Sequence, residues 1–361
     1  MPDGSGWERA PQATQPVEEK IQARLALAKE FKAKAPKRAV ELADEVLTRI
    51  GERDDLAKEK ADATFLKGEA LRLTSDFRNA IATLQIALAL FETLNDAPSV
   101  ADALNELGNA HYGLGDCSNA IAFYERSLAI KEKIGDKRGS ATVLNNLGNV
   151  CYSLADYARA LRRYQQSLAI KEEIGDKRGI ANSLGNIGIV YHNLADYCSA
   201  LECYRRSLLI RQEIGDEPGI AMSLGNIGIA YSSLGEHSNA LSEYHRCLAI
   251  FEKLNDKRSV AMSLGNIGSA YKRLADYASA MDSHRRSLAI KEEIGDKQGI
   301  AHSLLNLGDV CVSLGRFSEA SEFFERALSQ AVQIGAKRIE AECCLEMGRC
   351  FGKRRALERN S

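Results

Sequence analysis

No stretch of this chain approaches the roughly 18 consecutive apolar residues that a membrane span requires. The opening MPDGSGWERAPQATQP has no apolar run that could act as a secretory signal. An excess of charge of either sign is also missing. The formal net charge of −1 gives no field to draw in nucleic acid or an anionic membrane. Nine cysteines are an odd number without paired spacing, which argues against a disulfide framework and for a reducing cytoplasm. There is no phosphate-cradling glycine loop of the Walker type. The six histidines fall on six different predicted helices, none beside a Cys or Ser nucleophile. No catalytic constellation emerges, so an enzyme is the least supported class, and neither a cofactor nor a metal is expected.

What the chain does have is a period. Starting at Ala101, Ala141, Ala181, Ala221, Ala261 and Ala301, nearly the same 40 residues are written six times. A fixed period of this size means a stacked array whose units cannot bury their apolar faces alone. Within Ala141 to Ile180, Leu144, Leu147, Cys151 and Leu154 recur at spacings of three and four, one face of an α-helix. Tyr157, Ala160, Leu161, Tyr164 and Leu168 define a second face. Asp156 is placed to cap the second helix. Gly175 is placed to end it, and Asp176 to cap the next. Short connections make the helices antiparallel neighbours.

Gly148, Gly188, Gly228, Gly268 and Gly308 recur inside the first helix, where Gly costs about 1 kcal/mol relative to Ala. Close approach of the partner helix explains them, with Ala160, Ala200, Ala240, Ala280 and Ala320 as the matching small residues. Leu147-Gly148, position 151, Ala160 and Tyr164 fall at the spacing of the tetratricopeptide repeat signature. The chain resembles the 40-residue form of that repeat, found in kinesin light chains, in Leu-Gly-Asn-repeat adaptors and in bacterial sensory modules. The resemblance implies an all-α fold, a right-handed α-solenoid of stacked antiparallel helix hairpins.

The expected organisation is a disordered tail over 1–16, a divergent hairpin over 17–60 and a degenerate repeat over 61–100. Six repeats follow over 101–340 (101–140, 141–180, 181–220, 221–260, 261–300 and 301–340), then a capping helix and basic tail over 341–361. The last segment reads equally as a simple cap or as the place where longer relatives carry an effector domain.

In such arrays the first helices line the concave face, as the resemblance implies. The residue before each Leu/Ile-Gly pair reads Asn146, Asn186, Asn226, Asn266 and Asn306, with Glu106 breaking the series. Asn is a mediocre helix former, so propensity does not explain the column. Each amide carries a donor and an acceptor, and a ladder of them can hold the backbone of an extended peptide. Similar ladders hold peptides in the kinesin light chain and adaptor families, as the resemblance implies. The same amides could instead bond neighbouring helices and fix the stacking angle. The small residues beside them, Gly185, Gly225 and Gly265, favour the peptide.

One turn on, Asn149, Ile189 and Ile229 line the same face, followed by His192, Lys272 and Arg273. A ligand with an apolar residue followed by an acidic one would suit that stretch. The positions that grip a terminal carboxylate in chaperone-tail receptors of this family carry Asn, Gly, Met and Ser here, which argues against that use.

An Arg column on the second helices (Arg126, Arg206, Arg246, Arg286, Arg326) has Glu202, Asp282 and Glu322 four residues before three of its members. It reads as a solvated outer wall of helix pairs. Cys343, Cys344 and Cys350 lack a His at ligand spacing. The favoured function is an interaction scaffold or adaptor for an extended protein or peptide partner, with no nucleic acid or membrane partner. The alternative is a regulatory sensor that binds a signalling peptide or controls a separate cyclase, kinase or protease. Oligomeric state is not readable from the sequence.

Overall fold

The computed structural model describes residues 17–360, with side chains through residue 355. The tail expected over 1–16 lies outside the described residues, as do the side chains at the end of the basic tail. The described residues form α-helices and one short 3-10 turn, Asp54–Leu56, without a strand. They divide into two compact units, one ending at Asp176 and one starting at Lys177.

The first unit holds α1 (Val17–Lys34), α2 (Pro36–Ile50), α3 (Ala57–Leu73), α4 (Phe77–Thr93), α5 (Ala97–Gly113), α6 (Cys117–Lys133), α7 (Lys137–Ser153) and α8 (Tyr157–Glu173). The second holds α9 (Lys177–Asn193), α10 (Tyr197–Glu213), α11 (Glu217–Ser233), α12 (His237–Lys253), α13 (Lys257–Arg273), α14 (Tyr277–Glu293), α15 (Lys297–Ser313), α16 (Phe317–Gln333) and the single α17 (Lys337–Asn360). Odd and even helices pair as hairpins, and within each unit each hairpin packs on the next. A frame drawn from Ala101 therefore opens four residues inside a helix that starts at Ala97.

The metre of the chain is 20 residues. A 17-residue helix is followed by Leu or Ile, then a left-handed residue, then a cap. Gly115, Gly135, Gly215, Gly235, Gly295 and Gly315 take the left-handed place, at φ +67° to +81°. There Gly avoids the steric cost that a Cβ meets. Ala155, Ala195 and Ala275 occupy the same place at φ +57° to +61°, so the backbone there is set by packing against local preference. The turn closes with Asp116 N donating to His111 O at 2.9 Å and Gly115 N to Tyr112 O at 2.9 Å, which satisfies carbonyls the helix end leaves open. The cap follows as the sequence predicts. Asp156 accepts from Arg159 N at 3.0 Å, and Asp136 from Gly139 N at 2.8 Å. Glu236 and Arg316 stand where Asp is usual and make no such bond.

The recurrent glycine inside each first helix faces a ring. A Cβ on Gly148 would lie 2.5 Å from Tyr164 Cε1, and on Gly228 2.5 Å from Tyr244 Cε1. Its packing partner is thus the aromatic residue of the second helix, with the buried Ala160 and Ala240 one turn earlier. His284 and Phe324 replace tyrosine over Gly268 and Gly308.

Two kinds of joint between hairpins recur. Lys131 is buried, and its Nζ donates to Asp102 Oδ1 at 2.6 Å and to the capping Asp136 at 3.0 Å. Gly139 leaves the room: a Cβ there would meet that nitrogen at 2.6 Å. Burial opposes the ammonium charge, but the two carboxylates outweigh it and hold the Lys131 pKa above the usual lysine range. Arg211 with Gly219 and Lys291 with Gly299 repeat the pattern. In the other type the cation is Phe and the glycine is Ser. Phe251 packs in one cluster with Val260, and Ser259 Oγ donates to the capping Asp256 at 2.6 Å. Phe91, Val100 and Ser99 match them.

Two expectations change. His237 and His245 share α12, so the six histidines occupy five helices. The outer Arg column mostly reaches back one hairpin. Arg126 pairs with Glu92 at 3.9 Å and Arg326 with Glu292 at 4.0 Å, whereas Arg286 lies 3.9 Å both from Glu252 of the preceding hairpin and from Asp282, its predicted i,i+4 partner. The reason is geometric, since the second helix of the preceding hairpin offers a Glu within the same reach.

Candidate peptide-binding face

The first-helix face is built differently in the two units. In the first unit its polar side chains satisfy one another. Asn146 Nδ2 on α7 donates to Asn105 Oδ1 at 3.1 Å and Asn109 Oδ1 at 3.3 Å on α5. The Tyr124 hydroxyl donates to Asn109 Oδ1 at 2.7 Å, and the Tyr164 hydroxyl to Asn149 Oδ1 at 2.8 Å. Burial pushes both phenols well above their ordinary pKa, so they remain donors. Arg72 pairs with Glu106 at 2.7 Å and Lys32 with Glu69 at 2.7 Å. Burial raises the Glu69 pKa against the pull of Lys32.

In the second unit the column beyond Asn186 continues without those partners. Asn226, Asn266 and Asn306 are half-buried, and among the described residues none of their amides has a hydrogen-bond partner. The sequence supplies the reason. The places of Asn105 and Asn109 are taken by Gly185 and Ile189 one hairpin before Asn226, by Gly225 and Ile229 before Asn266, and by Gly265 and Ser269 before Asn306. Before Asn226 and Asn266 the side-chain acceptors have been removed, and before Asn306 a single hydroxyl remains, Ser269, which donates to Gly265 O at 3.0 Å. Asn186 does have an interaction partner.

The glycines beside these amides are not required by packing. A Cβ on Gly185 would meet nothing within 4 Å, on Gly225 only Cys247 Sγ at 3.6 Å, and on Gly265 only Ser287 Oγ at 3.8 Å. Each costs a mid-helix position about 1 kcal/mol relative to Ala. Apolar side chains stand exposed on the same helices: Met222 at 57%, Met262 at 59% and Ile229 at 38%. Sequence reasoning took inner-face methionine only as an argument against a terminal-carboxylate grip, although the place of Met222 and Met262 four residues before Asn226 and Asn266 marks the same helical face.

The remaining predicted residues divide. His192 Nε2 lies 3.0 Å from Ser233 Oγ, and burial lowers its pKa. Lys272 is ion-paired with Asp309 of the next hairpin, so it does not form a basic patch with Arg273. Arg273 has no carboxylate partner among the described residues. It lines an open hollow of about 540 Å³ together with Ile229 and Asn266.

Three of the buried thiols are not chemically poised. Burial pushes Cys203, Cys311 and Cys343 up to about 11, far from the thiolate form that nucleophiles and metal ligands need. No helix among the described residues is long and apolar enough to cross a membrane.

The tetratricopeptide repeat family model matches residues 59–133, 99–173, 179–253, 220–293 and 259–331. A search of curated protein sequences finds no match. Similar solved structures include the apo form of the quorum sensor NprR from B. thuringiensis, at 15% identity and TM-score 0.68, covering 88% of this chain and 89% of that one. A Rap protein complexed with Competence and Sporulation Factor is 15% identical with TM-score 0.56, covering 94% and 99%. The STAND protein PH0952 from Pyrococcus horikoshii, which has a tetratricopeptide repeat sensor, is 15% identical with TM-score 0.69. This chain covers 49% of its length and 91% of its own. At these identities the likeness concerns the fold.

Proposed function

Since the chain belongs to the tetratricopeptide repeat family, we propose that it is a protein–protein interaction scaffold that holds an extended partner segment on the first-helix face of its second unit. The observation that carries this reading is the set of free amides at Asn226, Asn266 and Asn306, where the sister Asn146 is bonded. An amide can give one hydrogen bond and take another from a peptide backbone, whatever the side chains of that peptide. The unfilled glycine positions let the backbone come close. The exposed Met222, Met262 and Ile229 offer adaptable apolar contact to alternate side chains. Backbone bonds would then supply affinity and the apolar sites selectivity.

The fold shared with a quorum sensor and with a Rap protein bound to Competence and Sporulation Factor favours a second reading. In it, the bound segment is a signalling peptide and the output passes to a separate protein.

Affinity capture from native lysate tests the first reading with wild type, an Asn226/Asn266/Asn306→Ala variant and an Asn146→Ala control. Three hydrogen bonds of about 1 kcal/mol each predict a loss on the order of 100-fold for the triple variant. The Asn146→Ala protein should keep its partner. Equal recovery by the triple variant would make the column structural throughout.

A further inference from the structure

The hollow beside Asn266 has a chemistry of its own. It lies between the α11–α12 hairpin and α13, and Arg273, Asn266, His237, Tyr244, Ser232 and Ile229 line it. Arg273 is exposed and unpaired among the described residues, while its neighbour Lys272 is neutralised by Asp309. The Nδ1 atom of His237 is buried without a hydrogen-bond partner. A buried polar atom of this kind normally has one. The Asn266 amide adds further unpaired donors. The phenol of Tyr244 is kept protonated, because burial pushes its pKa up to about 12. The nearest carboxylate in sequence, Glu236, is turned to its own helix and accepts from Asn239 Nδ2 at 2.7 Å. Arg273 and the Asn266 amide therefore bring unpaired donors to an open volume with one uncompensated cation, and Ile229 supplies an apolar wall.

We infer that this hollow is a subsite for a carboxylate side chain of the bound segment, with an apolar neighbour of that residue resting on Ile229. The inference rests on the groove reading above. The planar guanidinium of Arg273 can take both oxygens of a carboxylate at once, which an ammonium cannot do with fixed geometry. The Asn266 amide reaches the same volume and would anchor the backbone beside it. An amide in place of the carboxylate, as in Gln, would face donors with a donor of its own and would lose the charge-assisted bond.

The test uses the full chain with isotope-labelled isoleucine methyl groups and histidine rings. It is titrated with acetyl-Leu-Glu-amide, acetyl-Leu-Gln-amide and inorganic phosphate. The Ile229 methyl and His237 ring signals should shift saturably with the Glu peptide, at least tenfold more tightly than with the Gln peptide. Arg273→Gln should erase that difference. This side chain has no partner to lose, so the variant should fold as wild type. Equal response to the two peptides, no response, or an unchanged difference in the variant would overturn the subsite. A tighter response to phosphate than to the Glu peptide would also overturn it, since the pocket would then select a phosphoryl group. Capture that depends on the Asn residues and ignores Arg273 would remove the subsite and leave the groove reading standing. Capture indifferent to both would remove the groove reading as well.

Discussion

The two units carry the same Asn column on the same helix face, yet they use it in opposite ways. In the first, Asn146 is spent on Asn105 and Asn109, and tyrosine hydroxyls close the remaining acceptors. In the second, glycine with isoleucine or Ser269 stands where those partners would be before Asn226, Asn266 and Asn306, and those three amides are left open. The difference teaches that a repeated residue has no fixed role. Its role is set by the residue roughly one repeat away that it meets or fails to meet.

The largest contrast expected between the units is with pH. His284 takes the place that Tyr124 and Tyr164 hold in the first unit, and its buried Nδ1 has no partner. Burial, helped by Lys291 and Lys272, lowers its pKa from 6.5 to about 4. The folded site refuses a proton that the unfolded chain accepts near pH 6.5. Stability is therefore complete above that pH and is lost as pH falls toward 4, by roughly 3 kcal/mol. Hydrogen exchange should show α13 to α15 loosening between pH 6.5 and 4 in wild type, and His284→Tyr should remove the effect. An identical profile in wild type and variant would erase this contrast.

A sharper comparison lies within α11. Gly228→Ala drives a methyl group into the Tyr244 ring and should cost about 1–3 kcal/mol. Gly225→Ala, one turn earlier, meets only ordinary contact and should gain up to about 1 kcal/mol. The second variant should also weaken partner binding, because the new methyl group stands in the way of the ligand backbone. Thermal denaturation and capture together check both signs. A destabilised Gly225→Ala protein would show that the glycine serves packing.

The smallest effect belongs to the closed face. Tyr124→Phe and Tyr164→Phe each delete one hydroxyl bond to an Asn of the first unit and should cost about 1 kcal/mol. Capture of the partner should be unchanged. A loss of binding in either variant would extend the functional face into the first unit.

Much of the fold was legible from spacing alone. Asp156 caps where predicted, and Gly175, placed to end its helix, takes the left-handed conformation. These features depend on neighbours within a few residues, so the local sequence contains them. The aromatic ring over each of the five recurrent helical glycines was missed because alanine was the obvious small partner, while the ring arrives from 16 residues further on. The site was harder still. Whether an Asn is free depends on a residue 37 or 41 positions away, as in Asn146 with Asn109 and Asn105. Lys272 and Asp309 are 37 apart as well. Reading down a column compares equivalents, whereas these bonds run on a diagonal between columns. The missing diagonal partners of Asn226 and Asn266 were present in the sequence as Gly185, Ile189, Gly225 and Ile229.

The two kinds of hairpin joint constrain how such a chain can grow or shrink. Near-identical 40-residue blocks invite unequal crossing-over, and each gain or loss moves the array by one whole block. A recombinant stays well packed only when the end it inherits matches the beginning it is given. Lysine or arginine must meet glycine, and phenylalanine must meet serine-valine. A Phe251-type end spliced to a Gly299-type beginning would leave a void. A Lys131-type end forced against Ser259 would press a buried cation into a hydroxyl and its Cβ. The joints thus act as a grammar, deciding which rearranged descendants can fold.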